Sequence, residues 1–463
     1  MADSELVGGG LGTGAAENLL AGLLTHKDVQ FWRYSDEGPP PGTRKVMSMS
    51  GQPVAAGWVV SKAGAPPGER TTHTVAWAID DVGHQMGLTG EPVLAASTDS
   101  RTKAYETLDP DQASARRIAD AVAACAARQV KADLYVTKRE YLHRLTRLIG
   151  EGVTFCTVEE ALALVGLYLR SRGNFLLWKE PSENTAYRFD KGLYYWVGAR
   201  ELLPAGWRWF SACVLHDQSQ GSASGADELT YLGGAVFQRI TRVLQARDDL
   251  LRAMNCEQDN NVAEDALIAL DVCLIFLMGA VDATARVAHH VLGLLHEGIH
   301  QAGWQRPKWL KQVAAKAPML AQIVAPETPG ADALTILRLL RNTVHDTGLP
   351  ALAIGLPGRR EGTLAGLPSA ARDQILEAAD RQGGRQGWGL REPLPGRLHA
   401  DPYLLLERLL PAVIELLNDL MAATPVEKLS GISLKPEHSA PPGGKFNKFG
   451  ERERQSIRWQ LGL

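Results

Sequence analysis

The stretch Leu334-Thr335-Ile336-Leu337-Arg338-Leu339-Leu340-Arg341-Asn342-Thr343-Val344-His345 decides how the second half of the chain folds. Leu337, Leu340 and Val344 recur at steps of three and four residues, which puts them on one face of an α-helix and turns that face to a core. The other side carries Arg338, Arg341, Asn342 and His345. Arg341 lies one turn before His345 and Arg338 two turns before it, so these groups share one polar stripe. Apolar spacing near 3.6 also runs through Val236 to Asn255, Ala263 to about Gln301, Trp304 to Val324 and Leu404 to Ala422. Together these predict an all-α helical bundle over residues 231–423. Ala351 to Ile354 and Gly362 to Ala365 suit a small hairpin placed before the last helix.

Working outward, the first half reads differently. Val29 to Tyr34, Leu134 to Thr137 and Val153 to Cys156 have the β-branched and aromatic content of strands, and Ala113 to Val130 is a helix rich in Ala and Arg. That alternation predicts an α/β domain over residues 16–170. Residues 1–15, with Gly8, Gly9, Gly10, Gly12 and Gly14, read as a flexible leader; no strand precedes the glycines and no Lys-Ser/Thr follows, so a phosphate loop lacks its supports. Residues 171–230 form an aromatic-rich connector, with Trp178, Tyr187, Tyr194, Tyr195, Trp196, Trp207, Trp209 and Phe210. Such a row suits either base stacking or interface packing. The Pro-containing stretch 424–463 reads as an extended tail.

Length and composition set broad limits. At 463 residues the chain has room for more than one core. A net charge of −3 gives no global attraction to nucleic acid or anionic membrane, so any such contact needs a local patch. The five cysteines lack a Cys-x-x-Cys pair and read as reduced thiols. The apolar run Ala266 to Val281 holds Asp271 and is flanked by Glu264, Asp265 and Asp282, which suits a buried core helix rather than a bilayer span. With an acidic, Gly-rich start in place of a signal core, a cytoplasmic protein without membrane association is expected.

The polar stripe carries the chemistry. A guanidinium beside an imidazole can hold a phosphate and stabilise a phosphorane, while the imidazole moves the proton of a ribose 2′-hydroxyl. That is RNA cleavage without metal or other cofactor. Arg341-Asn342-Thr343-Val344-His345 resembles the Arg-Asn…His signature of HEPN domains. The resemblance implies an all-α bundle, a homodimer, RNA as partner and an Arg/His ribonuclease site, as in a toxin or defence factor. Arg341 is followed by Asn but stands close to His345; Arg338 has the longer separation but is followed by Leu339, so either can be the motif arginine. The same cluster also suits a plain helix end, with His345 near the negative pole and Gly348 terminating it. A non-catalytic regulator that binds nucleic acid or a protein partner through the polar face is a further reading.

A rival motif precedes this helix. His296-Glu297-Gly298-Ile299-His300 matches His-Glu-x-x-His, in which histidines at i and i+4 hold zinc and the glutamate activates water. The continuation resembles metzincin peptidases, with Arg306 where the third histidine would stand; Arg306 cannot ligate zinc, so another residue such as Glu327 would have to serve. In the first half, Ala132 to Leu142 and Gly152 to Leu162 resemble the closing strands and helix of PIN-like nucleases. Arg139 stands where that family has an acidic residue after Thr137, which implies a degenerate, non-catalytic domain unless Asp80, Asp81, Asp120 or Asp133 supply the carboxylates.

Overall fold

The computed structural model describes residues 1–3, 6, 14–36, 45–47, 53–63, 71–79, 82–89, 96, 103–144, 152–178, 186–221, 228–256, 259–294, 298–356, 359–439 and 449–463. They form two compact units, 1–189 with 451–463, and 190–450.

The first unit is an α/β fold with a mixed seven-stranded sheet. Its strands are β1 (Ala2–Asp3), β2 (Trp32–Ser35), β5 (Gly57–Ala63), β6 (Thr71–Ile79), β7 (Val82–Thr89), β8 (Leu134–Val136) and β9 (Thr154–Cys156), while β3 (Lys45–Met47) and β4 (Pro53–Ala55) pair apart. The order is β7-β6-β5-β2-β1-β8-β9. From β5 through β9 the pairs are parallel; β6 and β7 add antiparallel strands at the other edge. Side chains alternate between faces, so Tyr135 packs with Tyr34 and Val59 beneath α2 (Pro110–Gln129), whereas Val136 packs beneath α1 (Ala15–Leu24) and α4 (Val158–Ser171). Asp109 caps α2, accepting from the amides of Asp111 and Gln112 at 3.1 and 2.9 Å. Thr157 and Glu160 form a reciprocal capping box on α4.

Two expectations need correction here. Residues 1–3 are not part of a leader: Ala2–Asp3 is an interior strand, paired on both sides with β2 and β8. Residues 7–13 lie outside the described residues. The extended tail is also wrong at its end, because Glu451–Leu461 is a helix, α14, packed on α4. Gly166 makes room for it, since a Cβ there would sit 2.8 Å from the Gln460 carbonyl oxygen. Arg170 donates to that oxygen at 2.6 Å, and Gln460 donates to Leu176 O at 3.0 Å in β10 (Leu176–Trp178), which pairs with β11 (Ala186–Arg188).

The second unit is helix-rich. It comprises α5 (Lys191–Leu202), α6 (Gly206–Gln220), α7 (Glu228–Met254), α8 (Asn260–Val291), α9 (Pro307–Lys316), α10 (Pro318–Gln322), α11 (Pro329–Asp346), α12 (Arg372–Arg381) and α13 (Pro402–Ala423). It is not all-α. The expected hairpin is present as β12 (Ala351–Leu356) and β13 (Arg359–Gly366), and it extends into a four-stranded antiparallel sheet with β15 (Arg397–Ala400) and β14 (Leu390–Leu394). Among the described residues, the stretch expected as an aromatic connector divides between the two units at residues 189 and 190. Tyr194, Tyr195, Trp207 and Trp209 are buried on α5 and α6, and Tyr195 donates to Asp248 on α7 at 2.6 Å. Their packing role leaves these four rings no face for stacking on bases. The helix expected over 304–324 is broken, since Pro307 opens α9 and Pro318 opens α10.

The helices α8 and α13 are long and apolar enough to cross a membrane, but more than half of each apolar window is buried within the fold. Asp271 on α8 is an exception to its apolar setting. Its Oδ1 is buried without a hydrogen-bond partner among the described residues, and burial, with Glu264 adding repulsion, pushes the carboxyl up to about 6. The folded state therefore binds a proton more readily than the unfolded chain, whose Asp titrates near 3.9. This contribution to stability is full below about pH 4 and is lost as pH rises through 6. Asp271→Asn is expected to raise the melting temperature at pH 8 and to leave it nearly unchanged at pH 4; a lower value at pH 8 would exclude this account.

Candidate functional site

Thr328 caps α11 by accepting from the Ala331 amide at 3.2 Å, and Pro329 follows at the first helical position, where no amide hydrogen is needed. Ala333, Leu334, Ile336, Leu337 and Leu340 fix the buried face. Arg338, Arg341 and Asn342 then fall on the wall of a concave cleft of about 410 Å³. The opposite wall is α8, where Met278, Asp282 and Arg286 recur at four-residue steps on one stripe.

The third side is the segment after α8. That helix ends at Val291, and Gly293 follows with φ +58, a left-handed conformation that favours glycine. Residues 302–306 are pinned from both sides. Trp304 donates from its indole to Thr284 at 2.9 Å and meets Trp309 edge-to-face at 5.0 Å; Gln305 donates to Leu334 O at 3.0 Å. This pinning sets Arg306 and His300 along the cleft, with Arg306 steadied by Gln301 at 2.8 Å. The His300 ring uses the space left by Gly298, where a Cβ would come within 2.4 Å of Cε1.

The lining thus holds four arginines, Arg286, Arg306, Arg338 and Arg341, against one carboxylate, Asp282. Burial pushes the Asp282 carboxyl up, and Arg286, Arg341, Arg239 and Arg306 oppose that without overcoming it. The Nε of Arg338 is buried with no acceptor among the described residues. Among the described residues, the one hydrogen bond of the Arg341 side chain is a long one of 3.3 Å to Asn342. Guanidinium groups gathered in a concavity with so little internal neutralisation form an anion site, and the planar fork of arginine matches phosphate oxygens.

His345 does not belong to this site. Its side chain is 70% exposed at the last turn of α11, where it meets Asp346 at 3.1 Å. The cleft wall ends one turn earlier, at Asn342. The zinc motif is interrupted as well. His296 and Glu297 lie outside the described residues; Gly298 is extended (ψ 144), and His300 sits in a short 3-10 turn, so no helical i, i+4 path reaches His300. Among the described residues, no cluster of three His, Cys, Asp or Glu is arranged to hold a metal. Asp282, Arg286 and Arg306 were not singled out as site residues by sequence reasoning; the signal for the first two was their spacing inside an otherwise apolar helix.

A second polar cluster lies at the carboxyl edge of the sheet in the first unit. Asp3, at the end of β1, accepts from Tyr135 at 2.5 Å and Thr137 at 2.6 Å. Asp36, just past β2, accepts from Tyr34 at 2.7 Å, and Asp120, on α2, accepts from Tyr105 at 2.7 Å. Arg139, which enters α3 (Glu140–Arg144) after β8, reaches all three carboxylates. Of the acidic residues considered from sequence, Asp120 is therefore in the cluster; Asp80 and Asp81 lie outside the described residues. Asp3 and Asp36 were missed. Comparison of the chain with family models, with curated proteins and with solved structures gives no match.

Proposed function

We propose that the protein binds RNA at the α8–α11 cleft and cleaves it without a metal, with His300 in the acid–base role that the sequence gives to His345. The observation that carries this reading is the convergence of Arg286, Arg306, Arg338 and Arg341 on one concavity with an imidazole on its lining. The arginines hold the scissile phosphate and offset the charge that grows on its oxygens. The ribose 2′-oxygen bonds to phosphorus as its proton passes to the His300 imidazole. The bond from phosphorus to the 5′-oxygen breaks, and the proton reaches that oxygen through water. The products are a 2′,3′-cyclic phosphate and a 5′-hydroxyl, with no net consumption of water.

The test is incubation of the full chain with end-labelled single-stranded RNA in EDTA, with the product ends identified. His300→Ala is expected to slow cleavage by about 100-fold or more, the usual scale of general acid–base catalysis. His345→Ala should leave it nearly intact. Loss in His345→Ala alone would return the site to the helix end, and absence of cleavage by the wild-type chain would defeat the nuclease reading. RNA binding without cleavage would make the cleft a recognition site, as in the regulator reading.

A further inference from the structure

The carboxylates of Asp3, Asp36 and Asp120 come from three separate elements, and each meets a different nitrogen of one guanidinium. Nε of Arg139 lies 3.5 Å from Asp3, Nη1 lies 3.2 Å from Asp120 and Nη2 lies 2.5 Å from Asp36. Hydroxyl groups hold the carboxylates in place: Tyr135 and Thr137 on Asp3, Tyr105 on Asp120 and Tyr34 on Asp36. Asp3 and Asp120 are buried, and the Arg139 side chain is 17% exposed. The Arg139 guanidinium also lies 5.3 Å from the centre of the Tyr34 ring.

The location adds meaning. Strands β2 and β8 flank β1 on opposite sides, and all three run parallel. The crevice at their carboxyl ends is where open α/β sheets bind ligands. Three carboxylates gathered there need a cation. A magnesium ion would require oxygens at about 2.0–2.1 Å and a calcium ion at about 2.3–2.6 Å, and either would have to displace the guanidinium.

We infer that Arg139 is a built-in cation, whose guanidinium holds the carboxylates of Asp3, Asp36 and Asp120 in an arrangement that does not ligate one metal ion, and that it closes this crevice to metal. One residue then decides the chemistry of the sheet edge. With arginine the carboxylates are neutralised internally; with an acidic residue there, the same hydroxyl-braced carboxylates would form a divalent-cation site. This inference concerns the first unit and stands or falls independently of RNA cleavage at the α8–α11 cleft.

The experiment is titration of the full chain with Mn²⁺, followed by calorimetry and by melting temperature against an EDTA control. The wild-type chain is expected to give a flat isotherm and no melting shift. Arg139→Asp should be less stable in EDTA, bind one equivalent of Mn²⁺ and recover several degrees of melting temperature on binding. That gain should disappear when Asp3→Asn is added. Arg139→Gln keeps only three carboxylates and should bind Mn²⁺ more weakly; it provides the reading if Arg139→Asp does not fold. One equivalent bound to the wild-type chain and lost in Asp120→Asn would overturn the inference. So would a folded Arg139→Asp or Arg139→Gln chain that binds none.

Discussion

Removing Arg338 and Arg341 together is expected to weaken RNA binding by at least about 100-fold, because each hydrogen bond to a charged group contributes about 1.5–3 kcal/mol and about 1.4 kcal/mol is a factor of ten. The two residues share one ligand and one wall, so their effects couple and the lower end of that range is the safer figure. Among the described residues neither arginine is invested in the fold by a carboxylate ion pair: the Nε of Arg338 has no acceptor and Arg341 has the long bond to Asn342. Stability should therefore change little. The loss should also reduce the salt dependence of binding, by about 0.7 in the slope of log K against log salt for each phosphate contact removed from a single strand. Fluorescence anisotropy with a labelled single-stranded RNA at several salt concentrations measures both quantities. A decrease below threefold, or an unchanged slope, would separate the arginines from the RNA.

The second large effect is on stability. Asp3→Ala is expected to cost the first unit about 3–5 kcal/mol, the range for breaking a buried charge pair by removing one partner. The substitution leaves the Tyr135 and Thr137 hydroxyls without their acceptor and strips Arg139 of one of its two buried counter-charges. Asp36 is the control. Its side chain is 45% exposed, so water replaces much of what Asp36→Ala removes, and its cost should stay within about 1 kcal/mol. With two units, one melting curve is not a two-state measurement. Hydrogen exchange resolved onto α2 and β8 assigns the loss to the first unit; equal losses in the two variants would show that burial does not set the worth of these carboxylates.

Residues 134–136 and 154–156 were legible as strands because β-branched and aromatic side chains are concentrated there, and α11 was legible from its leucines. β1 was not. Two residues beside a run of glycines carry no period, and their strand character comes wholly from pairing with Arg33, Tyr34 and Val136. That His345 lies beyond the cleft lining has a different cause. Periodicity gives the face of a helix but not the point where the rest of the cleft stops, and its third side depends on Trp304, Gln305 and Pro307. The zinc motif has its chemical meaning on a continuous helix, and Gly298 within it is extended. One part of that motif keeps its interest, since His300 lines the arginine cleft.

The helix α14 changes how the chain can be assembled. Residues 190–450 are an insertion within the first unit, and the contact that completes that unit joins Arg170 to Gln460 across 290 positions. During synthesis the inserted unit has all of its own residues out before Gln460 is made. The earlier-made part of the first unit must wait with the groove beside Gly166 uncovered. Contacts of such sequence separation form slowly, because closing the loop is entropically costly before it is rewarded. The unit begun before the inserted one is thus finished after it.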